Sequence, residues 1–315
     1  MLVELLPFFL FLIGLVMLLV GAEVVIDNSK KIAYRFDISE IIIGITVVAL
    51  GTSFPELIVS IFAIFDRQHD IVIGNIVGSN IANIGLVLGV TSILSPILLN
   101  SKNKEVNYNL LILFIATISL IFGLIFNVAN SVFGAALLFL LFLYIYILFK
   151  YFLNNNDKEN QVKDKDRLSR ILFFIIMGFL LVSFGSEFFI KGVIGISESL
   201  GFSNNLIISM TLVALGTSLP ELVTTLSALR KNESNMALGN VIGSNIINIL
   251  LVIGSCAILG KNLFFNLEQI MPHLIVLFIA TVSLIFVCIF LKKINKILGI
   301  YFVILYTIFI YINFN

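Results

Sequence analysis

The chain has 315 residues, of which 60% are hydrophobic and only 12% charged, and its mean hydropathy is +1.14. That composition excludes a soluble domain of this length and makes the lipid bilayer the first expected partner. With 19 basic residues against 18 acidic the formal net charge is +1, and no nucleic acid partner is expected.

A helix needs about 20 apolar residues to cross about 30 Å of hydrocarbon, and about ten such runs follow one another along the chain. They do not alternate in polarity as the strands of a membrane β-barrel would. The first, over about residues 5–26, lacks a basic leader and reads as a resident helix rather than a signal peptide; Glu23 lies near its end. The second, about 41–64, holds Ala49, Thr52, Ser53 and Glu56 at spacings that put them on one helical face. Pro55 lacks an N–H and clashes with the carbonyl four residues back, which predicts a kink near Gly51 and an inward turn of the Ala49 carbonyl. The third run, about 71–99, stacks Ser79 and Asn83 on one face and is long enough to tilt, kink or pass beyond the membrane. Gly74 with Gly78 and Gly85 with Gly89 read as close-packing positions along it. The fourth and fifth runs cover about 107–127 and 131–153.

Asn154 to Arg170 is the one sizeable polar stretch and reads as a linker without the acidic cluster a Ca²⁺-sensing domain would need. The sixth run, about 171–191, carries Glu187 in Gly185-Ser186-Glu187, which echoes Gly21-Ala22-Glu23. Solvation of a helix end and guidance of ions are both open for this glutamate pair. The seventh run, about 205–229, holds Ala214, Thr217, Ser218 and Glu221 with Pro220, and predicts a second kink near Gly216. The eighth, about 236–260, holds Ser244 and Asn248, with Gly239 and Gly243 as packing positions; the ninth and tenth cover about 271–291 and 297–313. Cys256 and Cys288 fall in apolar runs and indicate neither a disulfide framework nor a metal site. His69 and His273 read as surface residues in or beside loops.

The second half repeats the first. Gly51-Thr52-Ser53-Phe54-Pro55-Glu56 returns 165 positions later as Gly216-Thr217-Ser218-Leu219-Pro220-Glu221. Gly74-Asn75-Ile76-Val77-Gly78-Ser79-Asn80 returns at the same offset as Gly239-Asn240-Val241-Ile242-Gly243-Ser244-Asn245. An odd number of spans in each half makes the second enter the membrane in the opposite sense. The expected fold is therefore an all-α membrane protein of ten transmembrane helices in two inverted five-helix repeats, 1–153 and 171–315, joined by 154–170. Alternate assignment of the 19 basic residues leaves only Arg67, Lys191 and Lys261 on one side. By the positive-inside rule the linker is cytoplasmic, both termini are extracellular, and the chain is a multi-pass protein of the cell membrane.

Polar residues kept twice inside apolar runs need a reason to be there, and the usual one is a transport pathway. Two glutamates, several hydroxyls, amide oxygens and kink-freed carbonyls form an all-oxygen set that suits hard cations such as Ca²⁺ and serves zinc or copper poorly. For the Ser, Thr and Asn residues helix packing is the alternative. For Glu56 and Glu221 it is an ion pair, yet neither run has a basic residue in its interior.

The paired motifs closely resemble the two alpha-repeats of the sodium/calcium exchanger family. The resemblance implies a ten-helix antiporter in which the second, third, seventh and eighth helices surround the ions while the first and sixth move across that core. By motif match it implies as ligands Ala49, Thr52, Ser53, Glu56, Ser79 and Asn83 from one repeat, and Ala214, Thr217, Ser218, Glu221, Ser244 and Asn248 from the other. Some relatives carry Asp where this chain has Asn248, so its site holds two carboxylates rather than three and the Na⁺ to Ca²⁺ ratio does not transfer.

The expected function is secondary exchange of Na⁺ for Ca²⁺ by alternating access, with no cofactor and no ATP: the only Gly-Lys pair, Gly260-Lys261, is followed by Asn262, so no P-loop is present. The alternatives are Ca²⁺/H⁺ exchange on the same glutamates and a cation channel, which an inverted pair within one chain suits poorly. An intramembrane hydrolase lacks its H-E-x-x-H. The chain is expected to be a transporter rather than an enzyme.

Overall fold

The structure, a computed structural model, describes residues 2–98, 104–152, 166–199 and 218–313. In hydrocarbon each backbone N–H and C=O must be satisfied within its own segment, and the apolar runs accordingly form helices. In chain order these are α1 (Leu2–Phe36), α2 (Glu40–Thr52), α3 (Phe54–Phe65), α4 (His69–Leu94), α5 (Lys104–Ile125) and α6 (Ser131–Phe152). They continue as α7 (Leu168–Ser199), α8 (Leu219–Arg230), α9 (Ser234–Leu259), α10 (Leu267–Leu291) and α11 (Lys296–Asn313). Among the described residues seven of these are long and apolar enough to cross a membrane, or eight if the bent pair α2 and α3 is one span. α11 is apolar but shorter, and the first part of the expected seventh span, together with Ala214 and Thr217, lies outside the described residues.

Element ends depart from the hydropathy pattern where polar groups find partners. α1 runs on to Phe36, beyond its apolar stretch. Its last turns are anchored by ion pairs: Lys30 with Glu233, Asp27 with Lys231 at 2.6 Å, and Lys31 with Asp166 at 2.6 Å. The third expected span stops as helix at Leu94 and continues into β1 (Ile97–Leu98), which pairs antiparallel with β2 (Lys293–Ile294). This short ladder satisfies backbone groups after α4 and between α10 and α11.

Local structure repeats at the interval of the sequence motifs. α3 and α8 begin at Phe54 and Leu219, and α4 and α9 at His69 and Ser234, each pair 165 positions apart. Left-handed residues recur at that offset as well: Arg67 (φ 59°) with Asn232 (φ 62°), and Asn127 (φ 51°) with Lys292 (φ 54°).

Glycines bring three pairs of helices into backbone contact. A Cβ on Gly14 would lie 2.7 Å from the Gly185 carbonyl oxygen, and one on Gly21 would lie 2.8 Å from that of Gly178, so α1 and α7 pack antiparallel. At the crossing of α2 and α9 a Cβ on Gly44 would meet the Met236 oxygen at 2.5 Å, and one on Gly243 the Ile45 oxygen at 2.4 Å. Gly85 and Gly89 approach α11 in the same way. No described atom lies within 4 Å of a Cβ placed on Gly74; the segment 165 positions after the α2 residues that cover Gly239 lies outside the described residues.

Candidate ion-binding site

The site begins with two proline breaks. Pro55 cannot donate to the carbonyl four residues back, and the helix is interrupted at Ser53 (φ −82°, ψ 3°) with a bend of 44° between α2 and α3. Ser218 (φ −94°, ψ 2°) stands in the same conformation ahead of Pro220. Each break starts a new helix with a glutamate in its first turn, Glu56 and Glu221, where the positive end of the helix dipole favours a carboxylate. Both are buried, at 1% and 0% exposure. The breaks fall two residues after the expected glycines. The Ala49 carbonyl does not turn free: it accepts the Ser53 N–H at 2.9 Å and the Thr52 hydroxyl at 3.3 Å.

Ser79 and Asn83 on α4, and Ser244 and Asn248 on α9, are buried at the same level of the two repeats. A turn of π-helix starts at each asparagine, over Asn83–Leu88 and Asn248–Ile253. π-helical turns also occur at Gly44–Val48 in α2 and at Val287–Leu291 in α10, but among the described residues only the pair on α4 and α9 recurs at the interval of the sequence motifs.

Hydrogen bonds tie the predicted residues together. Thr52 meets the Ser244 hydroxyl at 3.3 Å and donates to Asn240 Oδ1 at 3.2 Å, while the Ser53 hydroxyl donates to Glu221 Oε1 at 3.5 Å. Ten of the twelve expected ligands, Ala49, Thr52, Ser53, Glu56, Ser79, Asn83, Ser218, Glu221, Ser244 and Asn248, are thus buried at the two helix breaks and on α4 and α9. Glu23 is exposed and Glu187 pairs with Lys191 at 2.5 Å on its own helix, so neither joins this group. His69 accepts a hydrogen bond from the Phe264 N–H at 3.4 Å at a helix start, also apart from it.

Four asparagines that sequence reasoning left without a role complete the arrangement. Asn75 donates to the Glu56 carbonyl at 3.3 Å and to Ser60 at 3.0 Å. Asn240, its counterpart, donates to the Glu221 carbonyl at 3.4 Å and to Thr225 at 3.0 Å, the position that repeats Ser60. Asn83 donates to Asn245 Oδ1 at 3.3 Å, and Asn248 to Asn80 Oδ1 at 3.2 Å. The available signal was their own repetition inside the glycine-serine-asparagine motif.

What remains unbonded defines the chemistry. Both carboxylate oxygens of Glu56, Oε2 of Glu221, the Ser218 hydroxyl and Oδ1 of Asn83 and Asn248 are buried without a hydrogen-bond partner among the described residues. No described lysine or arginine pairs with either glutamate, and no described group of three His, Cys, Asp or Glu side chains is placed to hold a metal. Buried oxygens that lack donors are costly to keep, and an oxygen cage of this kind is what a hard cation requires.

Known proteins carry the same organisation. The family described as sodium/calcium exchanger protein matches residues 6–150 and 170–315. An uncharacterized membrane protein of Methanocaldococcus jannaschii, MJ0091, is 37% identical over 95% of each chain. The sodium/calcium exchanger MaX1 of Methanosarcina acetivorans is 35% identical over 78% of this chain and 81% of its own. A solved structure of the sodium-calcium exchanger NCX_Mj superposes with a TM-score of 0.81 at 34% identity, covering 97% of each chain.

Proposed function

The chain belongs to the sodium/calcium exchanger family, and on that footing we propose that it is a secondary antiporter that lets Na⁺ run down its gradient to expel Ca²⁺ through one buried site. The observation that carries this reading is the pair Glu56 and Glu221: buried, without a lysine or arginine partner among the described residues, and accompanied by buried oxygens that have no described hydrogen-bond partner. Two carboxylates are neutralised by one Ca²⁺ or by two monovalent cations, so the two loads compete for the same charge. An empty, doubly charged site is costly in a membrane, which discourages the unloaded carrier from crossing and couples the two fluxes.

The ligands of this reading are Ala49, Thr52, Ser53, Glu56, Ser79, Asn83, Ala214, Thr217, Ser218, Glu221, Ser244 and Asn248. Its frame is two inverted repeats of five helices, 1–153 and 171–315, about a cytoplasmic linker at 154–170. Two observations support an inverted relation. α1 and α7, first in their halves, pack antiparallel with Gly14 against Gly185 and Gly21 against Gly178. The amide bonds of Asn83 and Asn248 are reciprocal, as a two-fold relation requires. Such repeats let equivalent motions expose a central site to either side.

The test is radiolabelled Ca²⁺ uptake into proteoliposomes loaded with Na⁺ and diluted into choline, for the native chain and for Glu56→Gln and Glu221→Gln. Uptake that follows the outward Na⁺ gradient and is lost in both variants is the expected result. Uptake driven only by a pH gradient assigns the glutamates to proton exchange, and flux without a counter-ion assigns a channel.

A further inference from the structure

The bonding of the central asparagines runs in one direction. Asn80 donates from Nδ2 to the backbone carbonyl of Asn245 at 3.4 Å. A backbone carbonyl only accepts, so this bond decides which end of the Asn80 amide faces which way. Oδ1 of Asn80 is left to accept from Asn248 Nδ2 at 3.2 Å. The amino end of Asn248 is thereby occupied, and its own Oδ1 is buried with no partner among the described residues. Asn80 and Asn248 are themselves fully buried, at 0% exposure each, so no solvent competes for these bonds.

The other arm is weaker. Asn83 donates to Asn245 Oδ1 at 3.3 Å, but Nδ2 of Asn245 has no partner among the described residues, so nothing described anchors that amide to the backbone. The arm from Asn80 to Asn248 is the one with a fixed direction.

We propose that Asn80 is a positioning residue: held by the Asn245 carbonyl, it turns the Asn248 amide so that Oδ1 faces the transported cation and keeps that ligand neutral. An Asp at 248 would set a carboxylate oxygen against Asn80 Oδ1, acceptor against acceptor, so Asn80 also selects an amide there and holds the site at two carboxylates. This rests on the exchanger reading of the site and adds to it a residue that touches no ion.

The test is a double-mutant cycle on the Ca²⁺ KM of Na⁺-driven uptake in proteoliposomes, with Asn80→Ala, Asn248→Ala and both together. Each single change is expected to raise the Ca²⁺ KM about tenfold, the scale of one hydrogen bond or ligand contact to a charge. The double variant is expected to match Asn248→Ala, because Asn80 acts only through that amide. Multiplication of the two effects overturns the proposal while leaving the exchanger reading intact; an unchanged KM in Asn248→Ala removes Asn248 from the site and overturns the proposal with it. Asn80→Ser, too short to reach the amide, takes the place of Asn80→Ala if that variant does not fold. As a second readout, Asn248→Asp is expected to bind Ca²⁺ better with Asn80→Ala than with Asn80 present, and the reverse order overturns the proposal.

Discussion

Thr52 and Asn240 join the two halves of the chain by a single buried hydrogen bond of 3.2 Å, the hydroxyl donating to Oδ1. The other end of the same amide donates to the Glu221 carbonyl, Thr224 and Thr225 at 3.4, 3.2 and 3.0 Å. One side chain therefore sets the break before Glu56 in register with the helix that carries Glu221.

Replacement of Asn240 by Ala leaves these partners buried in a place water does not reach. A cost of about 1–3 kcal/mol is expected. It is read as a lower Tm of the purified protein, accompanied by slower Na⁺-driven Ca²⁺ uptake because Thr52 loses its amide acceptor in the other half of the chain and keeps the Ala49 carbonyl on its own helix. Unchanged stability would detach Asn240 from the role its bonds describe.

Gly243 precedes Ser244 at the crossing of α2 and α9, where an added Cβ would lie 2.4 Å from the Ile45 carbonyl oxygen and 2.7 Å from the Ala49 Cβ. Neither is the far end of a flexible side chain, so the helices must separate. Gly243→Ala is expected to destabilise by about 1–3 kcal/mol, and Gly243→Val by more. Exchange should fall with stability, since separation also parts Thr52 from Ser244. Thermal unfolding in detergent measures the first effect, and Na⁺-driven Ca²⁺ uptake into proteoliposomes measures the second.

Outside the membrane, Asp166 is held below its ordinary value of 3.8, chiefly by its hydrogen bond with the Lys31 ammonium. A carboxylate with a lowered folded value contributes stability above its unfolded value and loses it as pH falls through the folded one. The tie between the start of α7 and the end of α1 is therefore expected to be constant over about pH 5–8 and to weaken only below the ordinary carboxylate range. The difference in Tm between the native protein and Asp166→Asn should shrink on acidification below that range and respond to salt, as an exposed pair does.

The sequence made the apolar helices, the proline breaks and the buried glutamates legible, because each follows from a local rule: span length, a missing N–H, or a charge without a partner. The helical continuation of α1 past its apolar run was not legible, since Lys30 and Asp27 are held there by Glu233 and Lys231 from the other half. The π-turns at Asn83 and Asn248 were hidden too, because their residues are as apolar and helix-forming as those around them. The asparagine network needed the two halves placed against each other: Asn80 and Asn245 had no role by motif, and only their contacts with Asn248 and Asn83 give them one.

Glu56 and Glu221 set opposing demands on stability and transport. Both carboxyl groups are buried, and charge placed on them without a bound cation is costly, so the empty protein carries an electrostatic load that the loaded one does not. Glu221→Gln removes one charge and keeps the shape, and in the absence of cations it is expected to melt at or above the temperature of the native protein. Ca²⁺ at about one hundred times its Kd should stabilise the native protein by about 2.7 kcal/mol, whereas the variant, with half the counter-charge, should gain far less. Melting curves with chelator and with Ca²⁺ separate the two effects. A Glu221→Gln protein less stable than the native one when empty, yet equally stabilised by Ca²⁺, would mean that Glu221 holds the fold through contacts other than its charge and that the cation sits elsewhere.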